Sequence, residues 1–184
     1  MAMLQDVSSF FIALAQDMSE MDMGDAMTNL RLQKMLYFAQ GWMLTRHGVP
    51  LFQESIEAWK LGPVVPQCYE WYKGSGCYPL RAEMPPREAF TTDEYEVLLD
   101  TWTELSKYST SQLINMTHEP GTPWDKVWNH SKQREIKTED IKRFFSKMPL
   151  EDTKDKIREI PVVEPLYRME GVPVFSFREV WEHE

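Results

Sequence analysis

The sequence predicts a mainly α-helical protein: a compact helical domain with a small peripheral β element near the C-terminus. Apolar residues recur every three or four positions through most of the first 148 residues, and two capping boxes precede such runs. Short apolar runs interrupted by proline follow Pro149. The hydrophobic fraction of 42%, with 7 Trp, 7 Tyr and 9 Phe, excludes an intrinsically disordered chain.

The first predicted helix spans about four turns after Asp6. Its apolar positions share one face: Val7, Phe10, Phe11, Leu14 and Met18. Six of the 12 methionines lie in residues 1–27, and methionine suits irregular cores and adaptable binding surfaces alike. This Met-rich segment is therefore a candidate for contacts with a partner.

A second helix is expected to begin with Thr28 or Asn29 as N-cap, to run to about Arg46, and to end at His47 and Gly48. Two adjoining apolar stripes follow its length. They comprise Leu32, Leu36, Ala39 and Met43 in one stripe, and Met35, Phe38 and Trp42 in the other. A helix that is apolar over two stripes is deeply buried, so this segment is the expected central core element.

The segment from Pro50 to Lys60 is expected to be extended or irregular. Gly62-Pro63 is then expected to restart a helix, because proline suits the first helical turn. Inward-facing residues of that helix would be Val64, Val65, Tyr69 and Tyr72. Residues 73–91 contain three prolines and are expected to form a connecting loop.

Four further helices are expected before Pro149. Thr91 and Ser109 each begin a capping-box sequence, Pro123 begins a short helical segment, and Thr138 is the expected cap of a final helix. The sequence therefore predicts a helical domain over residues 1–148 and a C-terminal extension over residues 149–184. Within the extension, Glu170-Gly171 is expected to turn a hairpin between residues 167–169 and 172–174.

The net charge of −9 disfavours binding to nucleic acids and to anionic membranes, because both are bound through clustered Lys and Arg. The imbalance lies at the ends: residues 1–27 contain five acids and no base, and residues 150–184 contain nine acids and five bases. Acidic ends aid solubility, and they also attract a basic partner. Two cysteines in no metal-binding or redox spacing, and no apolar run of 18 residues, indicate a soluble cytoplasmic protein.

No motif for a metal, a cofactor or a phosphate is found, so neither a metal nor a cofactor is expected. His118-Glu119 is the most enzyme-like pair, because an imidazole beside a carboxylate suits general acid or base catalysis. The alternative is that His118 forms a hydrogen bond at a helix end before Pro120-Gly121. The alternative is favoured, because no nucleophile accompanies the pair.

Three stretches together resemble one family. They are residues 30–42 (LRLQKMLYFAQGW), residues 56–66 (IEAWKLGPVVP), and Thr117-His118-Glu119 with Pro123-Trp124. The chain resembles, over about residues 5–148, the Panacea domain, a bacterial and phage domain found in phage-associated GepA-like proteins and SocA-like proteolysis adaptors. The resemblance implies a non-enzymatic antitoxin that binds a toxin encoded nearby, on a bacterial chromosome or a prophage. The SocA-like variant implies, in addition, delivery of the toxin to a Clp protease.

Most motif residues are expected to be architectural, because packing and turn residues keep their role whichever partner binds. These residues are Gln33, Lys34, Tyr37, Gln40, Gly41, Trp42, Trp59, Lys60, Gly62, Pro63, Val64, Pro66, His118 and Trp124. Lys60 is expected to pair with a carboxylate such as Glu57 or Glu70, or to lie over an aromatic ring. The candidate partner contacts are Phe10, Phe11, Asp17, Met18, Met21, Met23, Tyr167, Phe175, Phe177 and Trp181.

Overall fold

The computed structural model describes residues 1–20, 26–130, 134–148, 167–169 and 172–174. The described residues are mainly helical, as the sequence predicts. The α-helices are α1 (Leu4–Glu20), α2 (Asn29–Arg46), α3 (Pro66–Tyr72), α4 (Thr92–Leu105), α5 (Thr110–His118), α6 (Pro123–His130) and α7 (Thr138–Phe145). The strands are β1 (Ile56–Trp59), β2 (Gly62–Val64), β3 (Glu135–Ile136), β4 (Tyr167–Met169) and β5 (Val172–Val174).

The central helix is α2, as expected, and fifteen of its 18 residues are buried. It packs against α1, α4, α5, α7 and β2. The helix begins after Thr28, whose side chain accepts a hydrogen bond from the Arg31 backbone N–H at 3.3 Å. It ends at His47, followed by Gly48 with φ = 78°. The sequence signals at both ends of this helix are therefore confirmed.

Three short strands form an antiparallel sheet in the order β2-β1-β3. Trp59 is paired with Gly62, so only Lys60 and Leu61 form the turn between β1 and β2. The expectation of a helix starting at Gly62-Pro63 is wrong: both residues belong to β2, and α3 begins at Pro66. Gly62 has φ = 106°, which suits the end of a tight turn and not a helix, and Pro66 takes the first helical turn instead.

The capping boxes of α4 and α5 are both present. Thr91 and Ser109 each accept a hydrogen bond from the third residue of the helix, whose side chain bonds back to the cap. The helix α5 runs from Thr110 to His118. The N-cap of α7 is Lys137 instead of the expected Thr138, which is the first helical residue.

The chain divides into two compact units, Met1–Leu150 and Glu151–Glu184. Within the second unit, β4 and β5 form the expected antiparallel hairpin, with Arg168 opposite Pro173. The expectation that the β element lies near the C-terminus is therefore incomplete, because the β2-β1-β3 sheet belongs to the first unit. None of the helices in the described ranges is long and apolar enough to cross a bilayer. Cys68 is buried and Cys77 is exposed, and both are free thiols.

Candidate functional site

The polar side chains of α2 hold the segments that surround the helix. Gln33 accepts a hydrogen bond from the Val65 backbone N–H at 2.9 Å and donates to the Asn29 side chain at 2.9 Å. Gln40 accepts from the backbone N–H groups of Leu51 at 2.7 Å and Phe52 at 3.2 Å, and donates to the Phe52 carbonyl at 3.0 Å. Both amides are buried and satisfied, so each fixes a loop against the helix.

Lys34 joins α2 to the β1–β2 hairpin. Its Nζ donates to the carbonyl oxygen of Pro63 at 3.0 Å, and its side chain is fully buried. A Cβ at Gly62 would lie 2.7 Å from this Nζ and 2.8 Å from Thr117 Oγ1, so a side chain at position 62 would displace one of them. Burial lowers the pKa of Lys34 from 10.5 to about 7.

Gly41 allows α7 to approach the backbone of α2. A Cβ at this position would lie 2.4 Å from the ring of Phe145. The Phe145 ring makes edge contacts with Tyr37 at 5.4 Å and with Trp42 at 5.8 Å between ring centroids. The Trp42 indole N–H donates to the Met148 carbonyl at 3.2 Å. The Tyr37 hydroxyl is buried without a hydrogen bond in the described part of the chain, and burial raises its pKa.

Trp59 and Trp124 connect the hairpin to α6. The Trp124 indole N–H donates to the Trp59 carbonyl oxygen at 2.8 Å. The Trp59 indole N–H donates to Glu57 at 2.8 Å, and its ring contacts Tyr69 at 4.9 Å. Val64 and Pro66 lie at the junction of β2 and α3, where Val64 is buried and Pro66 is half-buried.

Lys60 lies in the hairpin turn and is exposed. The two carboxylates expected to pair with it have other partners, because Glu57 accepts from the Trp59 indole and Glu70 pairs with Lys73. No aromatic ring lies beneath the Lys60 ammonium group within the described part of the chain. Neither expected role of Lys60 is therefore seen, and its side chain remains available to solvent.

His118 lies in a row of three stacked rings. Its imidazole lies 3.8 Å from the Trp124 ring at an interplanar angle of 7°, and Trp124 stacks on Trp128 at 5.7 Å and 13°. Burial and the Lys34 charge lower the pKa of His118. Its Nε2 is buried and has no hydrogen-bond partner among the described residues, whereas Glu119 is exposed. The imidazole therefore packs against an indole instead of pairing with the adjacent carboxylate.

No group of three or more His, Cys, Asp or Glu side chains in the described ranges could hold a metal ion. A cavity of about 130 Å³ lies between the α2–β1 loop, β3 and α7, and Gln40, Phe52, Glu54, Glu135 and Thr138 are among its lining residues. The cavity is separate from His118. Among the described residues, the titratable side chain whose charge acts on the imidazole is Lys34.

The candidate partner contacts have different positions in the structure. Phe10 and Phe11 are core residues, with 1% and 0% of their surfaces exposed, so neither is available to a partner in this conformation. Asp17 and Met18 are half-buried on α1. Tyr167 belongs to β4. The remaining candidates lie outside the described residues: Met21, Met23, Phe175, Phe177 and Trp181.

Two exposed apolar side chains near the hairpin were not found from the sequence. Leu61, in the hairpin turn, is 49% exposed, and Trp128, on the outer end of the ring stack, is 41% exposed. The Trp124–Trp59 hydrogen bond places the ends of both elements side by side. The signal that could have identified Leu61 was the two-residue spacing of a hairpin turn, which the expectation of a helix at Gly62 obscured.

Two comparisons with known proteins identify the same family. The family model described as Antitoxin SocA-like, Panacea domain, matches residues 32–125, half of the chain. Antitoxin SocA from Caulobacter vibrioides (strain NA1000 / CB15N) is 35% identical over 116 residues, which cover 55% of this chain and 60% of that relative. The alignment thus spans less than two thirds of the relative's length. No solved structure matches the chain significantly.

Proposed function

Because the chain belongs to the Antitoxin SocA-like, Panacea domain family, we propose that it neutralises a cognate toxin by direct protein–protein binding. The observation that carries this proposal is the family match over residues 32–125, which span α2, the β1–β2 hairpin, α3, α4 and α5. The relative that bears the name Antitoxin SocA supports the same role. The proposal includes that the toxin is a protein encoded near this chain.

The internal contacts of the motif residues support a distinction between residues that hold the fold and residues that contact a partner. Gln33, Lys34, Gln40 and Trp124 each form at least one hydrogen bond to a backbone atom of the same chain. A partner would therefore contact the residues that these bonds leave exposed. Leu61 and Trp128 are suitable, because interfaces are enriched in aromatic and large apolar side chains at their centres.

The test is co-expression of the full chain with each adjacent small reading frame, followed by purification through a tag on this chain. A neighbour that stops growth alone, becomes harmless with this protein and copurifies with it is the expected result. If no neighbour is toxic, the antitoxin proposal fails. Rescue without copurification, with loss of the toxin only in a protease-proficient strain, would replace neutralisation by binding with delivery to a Clp-type protease.

Two matched substitutions test the exposed contacts. Leu61→Asp is expected to weaken copurification of the toxin at least tenfold, because it places a charge at the centre of an apolar contact. Val49→Asp is the control, because Val49 is similarly exposed but follows the far end of α2. Equal binding by both variants would remove the hairpin turn from the interface while leaving the antitoxin role intact.

A basic toxin would fit the charge of the chain. The sequence carries a net charge of −9, and opposite charges accelerate association in a salt-dependent way. The association rate is therefore expected to fall between low and high salt. A rate that does not depend on salt would contradict a basic toxin only.

The catalytic alternative is tested at His118. The stacking of its imidazole on Trp124 supports a packing role, so His118→Ala is expected to lower the melting temperature and to leave toxin neutralisation unchanged in the folded fraction. An activity lost in His118→Ala while the melting temperature is unchanged would favour an enzyme.

A further inference from the structure

Lys34 carries a buried amine that pairs with no carboxylate among the described residues. Its side chain is 0% exposed, and its Nζ has one hydrogen bond, to the Pro63 carbonyl. No carboxylate among the described residues forms an ion pair with it, and no carboxylate contributes to its pKa shift. An ammonium group has three protons to donate, so one carbonyl dipole leaves most of its charge uncompensated.

Described groups close to this amine belong to β2 and α5. From β2, Gly62 and Pro63 contribute only backbone atoms near Nζ. From α5, Thr117 Oγ1 lies beside Gly62, and its hydroxyl already donates to the Ile114 carbonyl at 2.8 Å. The titratable side chain from α5 is His118. Positive charges on Lys34 and His118 repel each other, which lowers the pKa of His118.

Lys34 has two titratable neighbours on its own helix. Arg31 donates to the carbonyl oxygens of Leu105 and Ser106 at 3.5 and 3.3 Å, and so directs its guanidinium toward the end of α4. Tyr37 has a buried phenol, whose pKa burial raises, so it stays neutral. Neither residue supplies the negative charge that would stabilise an ammonium group.

We propose that Lys34 is a proton-controlled latch, in which the uncharged amine holds the β1–β2 hairpin closed on α2 and the charged ammonium loosens residues 62–65. The geometry favours this outcome, because Nζ is fully buried against the Gly62 backbone, and Thr117 Oγ1 lies close to the same point. A charged amine can regain hydration only if the hairpin moves away from α2. Nothing in the latch depends on the antitoxin proposal.

The direction of the pH effect follows from the two states of the chain. The unfolded chain keeps the Lys34 proton up to a pKa near 10.5, whereas the folded chain releases it above about 7. Between these pH values the unfolded state binds more protons, so the folded state gains stability as the pH rises. For one proton, the unfolding equilibrium constant falls by up to about tenfold for each pH unit.

The first experiment measures urea unfolding of the full chain between pH 6 and 9. It compares the wild type, Lys34→Met and the control Lys60→Met, which removes an exposed lysine from the same hairpin. Methionine approximates the length of the lysine side chain without its charge. Relative to Lys34→Met, the wild-type unfolding constant is expected to fall about 50-fold between pH 7 and 9. Lys60→Met should follow the wild type, and parallel curves for wild type and Lys34→Met would overturn the latch.

The second experiment needs no variant, so it remains informative if Lys34→Met does not fold. Val65 and Leu51 each donate a backbone N–H to a glutamine of α2, but only Val65 adjoins the Lys34 contact. Between pH 8 and pH 6, the hydrogen-exchange protection factor of Val65 is expected to fall about tenfold, and that of Leu51 to stay constant. Equal behaviour of both amides, or a Lys34 side chain that titrates near 10.5 by NMR, would overturn the proposal.

Discussion

The helices α1 and α2 have similar lengths but contribute differently to the fold. The apolar face of α1 is buried through Val7, Phe10, Phe11 and Leu14, while Gln5 remains exposed. Most positions around α2 are buried, including polar ones such as Gln33 and Gln40. Burial of apolar surface holds α1 in place, whereas α2 adds directed hydrogen bonds that fix where the hairpin and the α2–β1 loop lie.

The two helices therefore differ in what they determine: α1 contributes to the free energy of unfolding, whereas α2 also fixes the position of neighbouring backbone segments. Apolar contacts are not directional, so substitutions in α1 should change the free energy of unfolding and little else. Hydrogen bonds from α2 specify particular backbone atoms of the Leu51–Phe52 and Pro63–Val65 segments. Substitutions there should change both the free energy of unfolding and the order of one loop.

The largest effect is expected for Phe10→Ala. The Phe10 ring contacts Phe11, Phe90 and Tyr95 at centroid distances of 5.6 to 5.8 Å. Its truncation leaves a cavity, so the free energy of unfolding should fall by about 4 kcal/mol in urea titration. The control Met3→Ala, at an exposed position, should change it by less than about 0.5 kcal/mol. Unchanged stability in Phe10→Ala, with loss of toxin binding, would return Phe10 to the partner interface.

A smaller loss is expected for Gln40→Leu. It removes three hydrogen bonds and leaves the backbone N–H groups of Leu51 and Phe52 buried and unpaired. The free energy of unfolding should fall by about 3 kcal/mol. Hydrogen exchange of the Leu51 amide should accelerate more than that of the Val65 amide, because only the first is bonded to Gln40. Equal acceleration of hydrogen exchange at the Leu51 and Val65 amides would contradict a local positioning role. The control is Gln67→Leu, on the exposed surface of α3.

The smallest effect is expected at the start of α2. Thr28→Ala removes the acceptor of the Arg31 backbone N–H, and the free energy of unfolding should fall by about 1 kcal/mol. Thr28→Ser keeps the hydroxyl and should lie within about 0.5 kcal/mol of the wild type. Equal losses in both variants would assign the effect to the threonine methyl group instead of the cap.

Local signals in the sequence predicted most helices correctly. A capping box such as Thr91 to Glu94 acts within four residues, so the sequence alone contains the whole interaction. The hairpin at Gly62 depends instead on pairing with residues 56–59, and the sheet is completed by residues 135–136, over seventy positions away. Proline after glycine is compatible with a helix start and with a strand, and only this pairing decides between them.

The candidate site was predictable in its members but not in its arrangement. The resemblance to the Panacea domain included Lys34, Gly62 and His118 among the motif residues, yet it did not reveal that the Lys34 amine lies beside Gly62 or that His118 stacks on Trp124. The expectation for Phe10 and Phe11 rested on composition. The ring of Phe10 packs against Phe90 and Tyr95, about eighty residues later, which periodicity within α1 cannot show.

The stacked rings of His118, Trp124 and Trp128 provide an intrinsic spectroscopic probe. Two nearly parallel indoles 5.7 Å apart are close enough for their electronic transitions to couple, which gives a circular dichroism signal in the ultraviolet. Trp124 is buried whereas Trp128 faces solvent, so one member of the coupled pair reports on its surroundings. A toxin that covers this end of α6 would shield the Trp128 contribution to the fluorescence from iodide quenching.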